Sequence, residues 1–423
     1  MSAAAITLFI LLIAAILFVT ELIPVAMTAL LATTLLYLTG IIDESTVFAG
    51  FTNNVVILIT GMFIIGAALF ETGVAKKIGK LIMKFAKTEK QLLFAIMVIG
   101  AGLSAFLSNT STTAVMMPIV ILLADSMGFS RSKLLMPLAY ATALGGMITL
   151  IGTNGNLAVQ SVMQNEGVPV FSFFEFAYIG IPLTIVGIIY MMTIGYKLIP
   201  NRENVIAEAQ ESISVNNSEE NESTVKQFIA VAILLGAIIF MVFEKQLGVP
   251  LHIVSIIGAL LIVLTRTMTE KQAYRSLDMS TIILVAAMMP MATALADTGA
   301  AQMIADSVLG LVGVDGGPYV ITALIFIITA FLTSVMSNTA AAALMAPIGL
   351  VIATSMGIDP KAILMTICVG ASAAYASPIG TPPNTMIYGP GNYKFLDYIK
   401  CGFPFLVIQV IICLVVVPLI WPF

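Results

Sequence analysis

The chain has 423 residues, of which 60% are apolar and 9% are charged, and its formal net charge is −4. Soluble domains usually contain about 45–50% apolar and about 25% charged residues, so this composition excludes an ordinary water-soluble protein. A helix needs about 20 apolar residues to cross a bilayer, which leaves room for about ten crossings. The three cysteines form no CxxC or Cys/His motif, so we expect neither a disulfide framework nor a structural metal site.

Apolar segments follow one another along the chain in two series. Residues 1–20 lack a basic leader and predict a first membrane helix rather than a cleaved signal peptide. A stretch rich in Asn, Ser and Glu at 199–225 separates the two series. It is too short to fold alone, so we interpret it as a linker. The apolar segments lie at 3–20, 25–42, 54–70, 92–107, 112–124, 134–151 and 174–196 before it, and at 228–243, 251–265, 281–295, 319–335, 340–355, 362–379 and 395–418 after it.

The two series carry the same short motifs in the same order and at nearly constant spacing. This self-similarity predicts an internal duplication with repeats at 1–198 and 226–423. The matched pairs are Glu71-Thr72-Gly73 with Asp297-Thr298-Gly299, Ser108-Asn109-Thr110 with Ser337-Asn338-Thr339, and Gly152-Thr153 with Gly380-Thr381.

Each repeat is predicted to contain a helical hairpin, at 91–125 and 319–356, followed by a broken helix, at 134–165 and 362–390. A hairpin that re-enters the membrane returns to the side it left, so each repeat makes five net crossings and the second repeat is inverted. With this topology, 16 of the 18 Lys and Arg residues fall on one face. Basic residues mark the cytoplasmic side, so the linker at 197–227 is predicted in the cytoplasm and both termini outside the cell membrane.

The predicted hairpin tips are the two Ser-Asn-Thr motifs. A polar turn at membrane depth is tolerated only where protein buries it or where it lines a wet cavity. The alternative is an ordinary surface loop between two full crossings. The matched positions in both repeats, and the short apolar arm at 112–124, favour re-entrant hairpins whose tips meet near the membrane midplane.

A second pair of interruptions predicts two broken helices. Gly, Pro and Asn residues at 152–156 and 380–384 end helices or free the backbone. Broken helices expose carbonyl groups, which suit a hard cation such as sodium, and N–H groups, which suit an anion. The predicted spans contain no Lys or Arg and no visible pair of buried carboxylates, so sodium coupling is favoured over proton coupling.

The segment at 74–90 places lysines at helical spacing against apolar residues, which predicts a helix on the cytoplasmic membrane surface. Its counterpart at 300–311 lacks lysines, as an equivalent on the outer face would. The two helices either link the hairpins to a scaffold or serve as simple surface anchors.

These motifs resemble those of the divalent anion:sodium symporters, the family that includes animal solute carrier family 13, within the ion-transporter superfamily. The resemblance covers nearly the whole chain. It implies an elevator-type homodimer, in which a transport domain of hairpins and broken helices slides against a scaffold. The motifs that carry it are Thr20-Glu21-Leu22-Ile23-Pro24, the two Ser-Asn-Thr tips, Gly380-Thr381-Pro382-Pro383-Asn384 and Tyr388-Gly389-Pro390-Gly391.

The resemblance also implies two sodium sites and a substrate site, with sodium as a co-transported ion and no cofactor. The implied sodium ligands are Ser104, Ser108, Asn109 and the Gly152 carbonyl in the first half, and Thr333, the Met336 carbonyl, Asn338 and the Gly380 carbonyl in the second. The implied substrate-binding residues are Ser108, Asn109, Thr110 and Thr153 on one side, and Ser337, Asn338, Thr339, Thr381 and Pro382 on the other.

Two departures from the family pattern concern the substrate. The first break has Asn154-Gly155 where family members commonly have Pro-Pro, and the second tip continues with alanines at 340–342 instead of hydroxyls. We expect symport of a C4-dicarboxylate with sodium. The alternatives are a tricarboxylate, sulfate or another oxyanion as substrate, exchange instead of symport, or a passive anion channel. The spans carry no HExxH, GxSxG or carboxylate constellation, so we expect neither an enzyme nor a nucleic-acid partner.

Overall fold

The computed structural model describes residues 2–20, 22–74, 77, 87–202, 224–312 and 317–423. Every regular element in these ranges is a helix, which confirms the predicted all-α fold. Most of the amphipathic segment at 74–90 lies outside the described residues. The same holds for residues 203–223 of the linker and for Glu21 of the motif at 20–24.

Eight principal helices precede the linker. They are α1 (Ala3–Thr20), α2 (Val25–Leu38), α3 (Asn54–Glu71), α4 (Glu89–Ser104), α5 (Asn109–Met127), α6 (Arg131–Gly145), α7 (Asn154–Asn165) and α8 (Ala177–Tyr190), among the described residues. Helix α8 continues through a π-helical turn at Met191–Gly195 into Tyr196–Leu198. Short helical turns also lie at Glu44–Val47 and Ala49–Thr52.

Nine principal helices follow the linker in the described part of the chain. They are α9 (Thr224–Val242), α10 (Leu251–Leu264), α11 (Met279–Asp297), α12 (Ala300–Val312), α13 (Gly317–Thr333), α14 (Asn338–Met356), α15 (Pro360–Ala371), α16 (Pro382–Tyr388) and α17 (Phe395–Ile420). Short helical turns lie at Glu244–Leu247, Glu270–Arg275 and Ala374–Ala376.

Eight of the described helices are long and apolar enough to cross a membrane. They confirm the prediction of a multi-pass membrane protein. Other apolar helices are too short to cross alone: α2 and α10 have 14 residues each, so at 1.5 Å per residue each is about 21 Å long, against a hydrocarbon core of about 30 Å. Each packs along a longer helix, α2 on α11 and α10 on α3.

The two Ser-Asn-Thr turns are built in the same way. Ser108 precedes α5, and its hydroxyl oxygen accepts a hydrogen bond from the Ser111 amide at 3.2 Å. Ser337 precedes α14 and accepts from the Ala340 amide at 3.2 Å. Serine is a strong N-cap because its oxygen satisfies one of the amides that the first helical turn leaves unpaired. Both helices therefore begin at the asparagine of the motif.

The two halves of the chain interlock around these turns. Helix α7 of the first half packs against α14 of the second, and α16 packs against α5 and α6. A Cβ atom added at Gly155, in the first turn of α7, would lie 3.6 Å from the Asn338 carbonyl oxygen. The helix that follows each break thus packs on the helix that begins at the other half's turn, and neither half forms this region alone.

Two ion pairs lie farther from the turns, one between the halves and one between the linker and the second half. Lys361 Nζ lies 2.8 Å from Glu175 Oε1, and the single tryptophan, Trp421, donates to the same oxygen at 2.8 Å. Arg202 donates to Asp397 Oδ2 at 2.6 Å. A largely buried carboxylate is stable only when donors compensate for its lost hydration. The first pair therefore fixes the start of α8 to the second half, and the second fixes the start of α17 to the linker.

We expect Glu175→Gln to lower the free energy of unfolding by about 1–2 kcal/mol near neutral pH, because it removes the charge that pairs with Lys361. Burial alone would raise the pKa of the Glu175 carboxyl, but hydrogen bonds from Lys361, the Ser172 amide and Trp421 hold it below the ordinary value of 4.5. A carboxyl whose pKa is lowered by folding stabilises the protein above its ordinary pKa. That contribution is lost as the pH falls through the folded-state value.

Thermal unfolding in detergent, followed by Trp421 fluorescence, measures this effect. The unfolding temperatures of Glu175→Gln and the unchanged protein should differ at pH 7 and converge as the pH falls through the lowered pKa of Glu175, below its ordinary value of 4.5. Glu270→Gln is the matched control, because Glu270 is exposed and bonds the exposed Tyr274 hydroxyl. A difference of the same size at acid pH would show that the Glu175 charge is not what stabilises the fold.

Candidate functional site

Oxygen atoms from three helices meet where the first Ser-Asn-Thr turn faces the first helix break. Ser104 is the last residue of α4, and its Oγ lies 2.7 Å from the Thr142 carbonyl oxygen in α6. It also lies 2.8 Å from the side-chain amide of Asn109, the first residue of α5. Ser104 is fully buried. Since its hydroxyl has one hydrogen, it cannot donate to both acceptors at once.

Without a cation, the hydrogen bonds of this place are satisfied by one orientation of the Asn109 amide, with its nitrogen toward the cluster. One of its terminal atoms lies 2.8 Å from Ser104 Oγ, 2.9 Å from the Thr142 carbonyl oxygen and 3.1 Å from the Gly152 carbonyl oxygen. With the nitrogen in that place, the amide donates hydrogen bonds to these oxygens. With the oxygen there, four oxygen atoms converge around at most one hydrogen. Unwound carbonyls arranged in this way are what membrane transporters use to bind sodium.

Two glycines allow this close approach. A Cβ atom on Gly146 would collide with the Asn109 side chain and lie 3.0 Å from the Gly152 carbonyl oxygen. A Cβ atom on Gly152 would lie 2.5 Å from the Gly146 carbonyl oxygen. The backbone between α6 and α7 therefore folds tightly back on itself, and a side chain at either glycine would push it apart.

The second half has a similar cluster at the matching place in its own repeat. Thr333 Oγ1 lies 2.7 Å from Asn338 Oδ1 and 2.6 Å from the Ala371 carbonyl oxygen. Thr333, like its counterpart in the first half, is fully buried. Gly380 lies beside the cluster, because a Cβ atom there would be 2.5 Å from the Thr333 carbonyl oxygen. The second break thus folds against the second turn.

Some of the predicted sodium ligands lie together in the structure, whereas others form different contacts. Those that meet are Ser104, Asn109 and Gly152 in the first half, and Thr333 and Asn338, with Gly380 beside them, in the second. The hydroxyls of Ser108 and Ser337 cap helices instead. Met336 is buried, and its amide donates to the Leu332 carbonyl.

Two carbonyl groups in the clusters were not predicted from the sequence, those of Thr142 and Ala371. Each lies in the last turn of a helix that ends at a break. That position, which recurs at the matching place in the second repeat, is the signal that could have identified them. The described residues contain no group of three or more His, Cys, Asp or Glu that could hold a metal. A cation in either cluster would therefore be bound by uncharged oxygens.

The predicted substrate-binding threonines differ in exposure. Thr110 is exposed beside the first turn, whereas Thr339 of the second turn is buried. Thr153 and Thr381 precede α7 and α16, and neither side chain caps its helix. Their hydroxyls are thus not used by the helices that they precede. Pro382 is exposed at the start of α16 and has no N–H to offer an anion.

A cavity of about 520 Å³ opens beside the first turn. Gln272 donates to Glu71 Oε2 at 2.6 Å, and Arg275 is exposed. Arg275 is one of the 16 basic residues that the sequence predicts on the cytoplasmic face, and packing of the Glu270–Arg275 turn on α3 brings it to the cavity. The polar residues that line the cavity are Glu71, Ser108, Ser111, Asn154, Gln272, Arg275 and Ser276.

Asn154, the residue that departs from the family pattern, connects the first break to α11. Its amide nitrogen donates to Thr281 Oγ1 at 3.0 Å, and Thr281 donates to Asp278 at 2.5 Å. At the other end of α7, Asn165 donates to Thr293 Oγ1 at 2.8 Å. Helix α7 is therefore bonded to α11 at both of its ends, and a proline in place of Asn154 could not form the first of these bonds.

Comparisons with known proteins agree with this architecture. A family model described as citrate transporter matches residues 15–357 and 314–423. The uncharacterized transporter YfbS of Escherichia coli is 27% identical, over 97% of this chain and 98% of its own. The sodium-dependent dicarboxylate transporter SdcS of Staphylococcus aureus strain USA300 is 28% identical, over 96% of this chain and 83% of its own.

Two solved structures of transporters share the fold. The YdaH transporter of Alcanivorax borkumensis superposes with a TM-score of 0.62 at 13% identity, over 89% of this chain and 87% of its own. MtrF of Neisseria gonorrhoeae superposes with a TM-score of 0.61 at 17% identity, over 91% of this chain and 83% of its own. At these identities the likeness concerns the fold and not the substrate.

The family match spans most of the chain, and the helices that it covers include those long enough to cross a membrane. Together these findings confirm that the protein is a transporter rather than an enzyme. They also confirm, at the level of the family, the resemblance to divalent anion:sodium symporters that the sequence motifs indicate. The chain belongs to the citrate transporter family.

Proposed function

We propose that this chain is a secondary transporter that carries a small divalent anion, a C4-dicarboxylate, across the cell membrane together with sodium. The observation that carries the proposal is the cluster at Asn109, in which one end of the amide faces three oxygen atoms. The citrate transporter family and the relatives named sodium-dependent dicarboxylate transporter support a carboxylate substrate and sodium as the coupling ion.

In the proposed first sodium site, Asn109 turns its amide oxygen toward Ser104 and toward the carbonyl groups of Thr142 and Gly152. In the absence of sodium, the amide nitrogen takes that place and donates to the same oxygens. Sodium then replaces hydrogen bonds within the protein rather than filling a void. Rotation of a single amide therefore distinguishes the loaded site from the empty one.

The proposed second sodium site uses the same kinds of group. Thr333, Asn338 and the Ala371 carbonyl already lie within hydrogen-bonding distance of one another. The carbonyls of Met336 and Gly380, which the family resemblance implies, complete it. The capping serines, Ser108 and Ser337, contribute by fixing the turns that present the two asparagines.

The proposed substrate lies between the two sodium sites, with one carboxylate toward each turn. The first two helical residues of α7 have N–H groups without a side-chain cap, and amides at a helix start favour an anion. The corresponding residues of α16 are prolines, so the second carboxylate relies on hydroxyl groups and on the nearby sodium. The proposed contacts are Asn109, Thr110 and Thr153 on one side, and Asn338, Thr339, Thr381 and Pro382 on the other.

The matched clusters support two inverted repeats, at 1–198 and 226–423, that work by an elevator mechanism. In this proposal the hairpins at 91–125 and 319–356 and the broken helices at 134–165 and 362–390 move as one transport domain. The remaining helices form the scaffold, through which two copies of the chain pair as a homodimer. The bonds of Asn154 and Asn165 to α11 then join the transport domain to the scaffold.

The cavity indicates which side of the membrane the proposed site faces. It connects Ser108 at the first turn to Glu71 and Arg275, which the sequence places on the cytoplasmic face. Thr110 and Ser111 of the first turn are exposed, whereas residues 339–342 of the second turn are buried. We assign the structure to an inward-open state, from which substrate leaves to the cytoplasm, with both termini outside.

Uptake of labelled substrate into proteoliposomes tests the function directly. We expect an inward sodium gradient to drive accumulation of succinate, and an equal gradient of potassium to drive none. Citrate and sulfate, offered at the same concentration, distinguish a tricarboxylate or oxyanion carrier from a dicarboxylate carrier. Uptake that a pH gradient drives equally well without sodium would overturn the coupling, and uptake of none of the three anions would overturn the substrate class.

The two asparagines of the turns give a test of the site. Asn109→Ala and Asn338→Ala should each reduce sodium-driven uptake more than tenfold, because each removes the amide oxygen at the centre of one proposed sodium site. Both proteins should still elute as folded particles in size-exclusion chromatography. Asn54→Ala is the control, since Asn54 is exposed at the start of α3. Uptake within twofold of the unchanged protein in both site variants would refute the assignment.

The close backbone approach at the first break gives an independent test. Gly146→Ala should raise the sodium concentration for half-maximal uptake at least tenfold, because its Cβ atom would push against Asn109 and the Gly152 carbonyl. Gly102→Ala is the matched control, because a Cβ atom on Gly102 meets nothing within 4 Å and alanine favours the helix. Equal sodium dependence in both variants would show that this approach does not form the site.

A further inference from the structure

Asn156 lies in the first turn of α7, behind the first proposed sodium site, and is not among the predicted site residues. Its side-chain nitrogen reaches back across the break and donates to the carbonyls of Gly146 at 3.4 Å and Thr149 at 3.1 Å. These two carbonyls belong to the segment at 146–152 that connects α6 to α7. One side chain thus connects the start of one helix to the unwound end of the other.

Asn384 holds the second break in the same way. It lies in the first turn of α16, and its nitrogen donates to the carbonyls of Ala374 and Ser377, both at 2.8 Å. Each asparagine therefore binds the carbonyls ten and seven positions before it in its own half. Two asparagines that form the same hydrogen bonds at matched positions of the two halves indicate a shared role rather than incidental packing.

Asn156 is buried, and only the nitrogen of its side-chain amide forms hydrogen bonds among the described residues. The residue is 0% exposed, and its Oδ1 has no hydrogen-bond partner among the described residues. An unpaired buried acceptor is costly, and a leucine of similar shape would avoid that cost. An apolar residue would, however, leave the carbonyls of Gly146 and Thr149 without these donors.

We propose that Asn156 and Asn384 are positioning residues for the two sodium sites, an inference that rests on the proposed function. Asn156 holds the segment at 146–152 closed, which keeps the Gly152 carbonyl 3.1 Å from the Asn109 amide. Neither asparagine contacts sodium. Residues that orient metal ligands from behind typically change metal affinity by about 10–100-fold when they are replaced.

A matched pair of substitutions separates positioning from stability. Asn156→Leu removes both donors and keeps the approximate shape of the side chain. Gln160→Met removes a buried amide one turn later in α7, where the Gln160 side chain donates to the Phe171 carbonyl at 2.9 Å and accepts from the Phe171 amide at 3.1 Å. Both variants lose a buried amide that bonds to backbone. Only Asn156→Leu removes hydrogen bonds to the segment at 146–152.

The measurement is the rise in unfolding temperature of the purified protein with sodium chloride, with choline chloride keeping the ionic strength constant. A ligand that binds only the folded state raises this temperature with a midpoint set by its affinity. We expect Asn156→Leu to shift the midpoint at least tenfold upward and Gln160→Met to leave it within twofold. In proteoliposomes, the half-maximal sodium concentration should rise likewise, while the maximal rate at saturating sodium changes less than threefold.

The outcomes separate the inference from the proposed function. If the unchanged protein shows neither sodium-dependent stabilisation nor sodium-driven uptake, the proposed function fails and the inference fails with it. If the unchanged protein responds to sodium and Asn156→Leu has the same midpoint, only the inference is overturned. Asn384→Leu makes the same test at the second break should Asn156→Leu not fold, and an unshifted sodium midpoint there would also overturn the inference.

Discussion

The structure depends on how the broken helices satisfy their carbonyl groups at membrane depth. A helix that stops inside the bilayer leaves several carbonyls without intrahelical donors, and hydrocarbon offers none. Here side chains add donors to those of the backbone: Ser104 and Thr333 reach the last turns of α6 and α15, and Asn156 and Asn384 reach the connecting segments. A cation can take the place of such donors, because carbonyl and hydroxyl oxygens that accept hydrogen bonds also bind hard cations. The same groups that make the breaks stable therefore make them suitable for binding sodium.

The two halves meet this constraint with different residues, and the differences affect the proposed mechanism. Helix α7 has 12 residues and starts with Asn-Gly, so it offers free amides and a bond from Asn154 to α11. Helix α16 has seven residues and starts with Pro-Pro, so its start is rigid and offers no N–H. In the proposed mechanism, the first half binds the anion through backbone amides and contacts α11 through Asn154. The second half presents its ligands from a rigid helix start.

The sequence predicted those features of the fold that have local causes. Both turns lie where a serine can cap the following helix. The repeated short motifs are visible in the sequence itself, whatever the packing of the helices. The apolar pattern placed the ends of the helices before the breaks too late in the chain. It extends to 151 and 379, whereas α6 ends at Gly145 and α15 at Ala371. Most of the intervening residues are apolar, so hydropathy alone does not reveal that they unwind. Arg275 at the cavity and the Glu175–Lys361 pair depend on residues far apart in the chain, for which no local pattern exists.

The lack of a lysine or arginine in the proposed sites bears on coupling. A dianion held there alone would leave two uncompensated negative charges, and sodium alone would leave uncompensated positive charge, in a place where isolated charge is strongly unfavourable. Two sodium ions with one dianion are neutral together. An empty site is also neutral, and the Asn109 nitrogen can then donate to the carbonyls that would bind sodium. Only the empty and the fully loaded forms can then cross the membrane at low cost. In the proposed function, a site built from uncharged oxygens couples the two ions by electrostatics, without a separate gate for either.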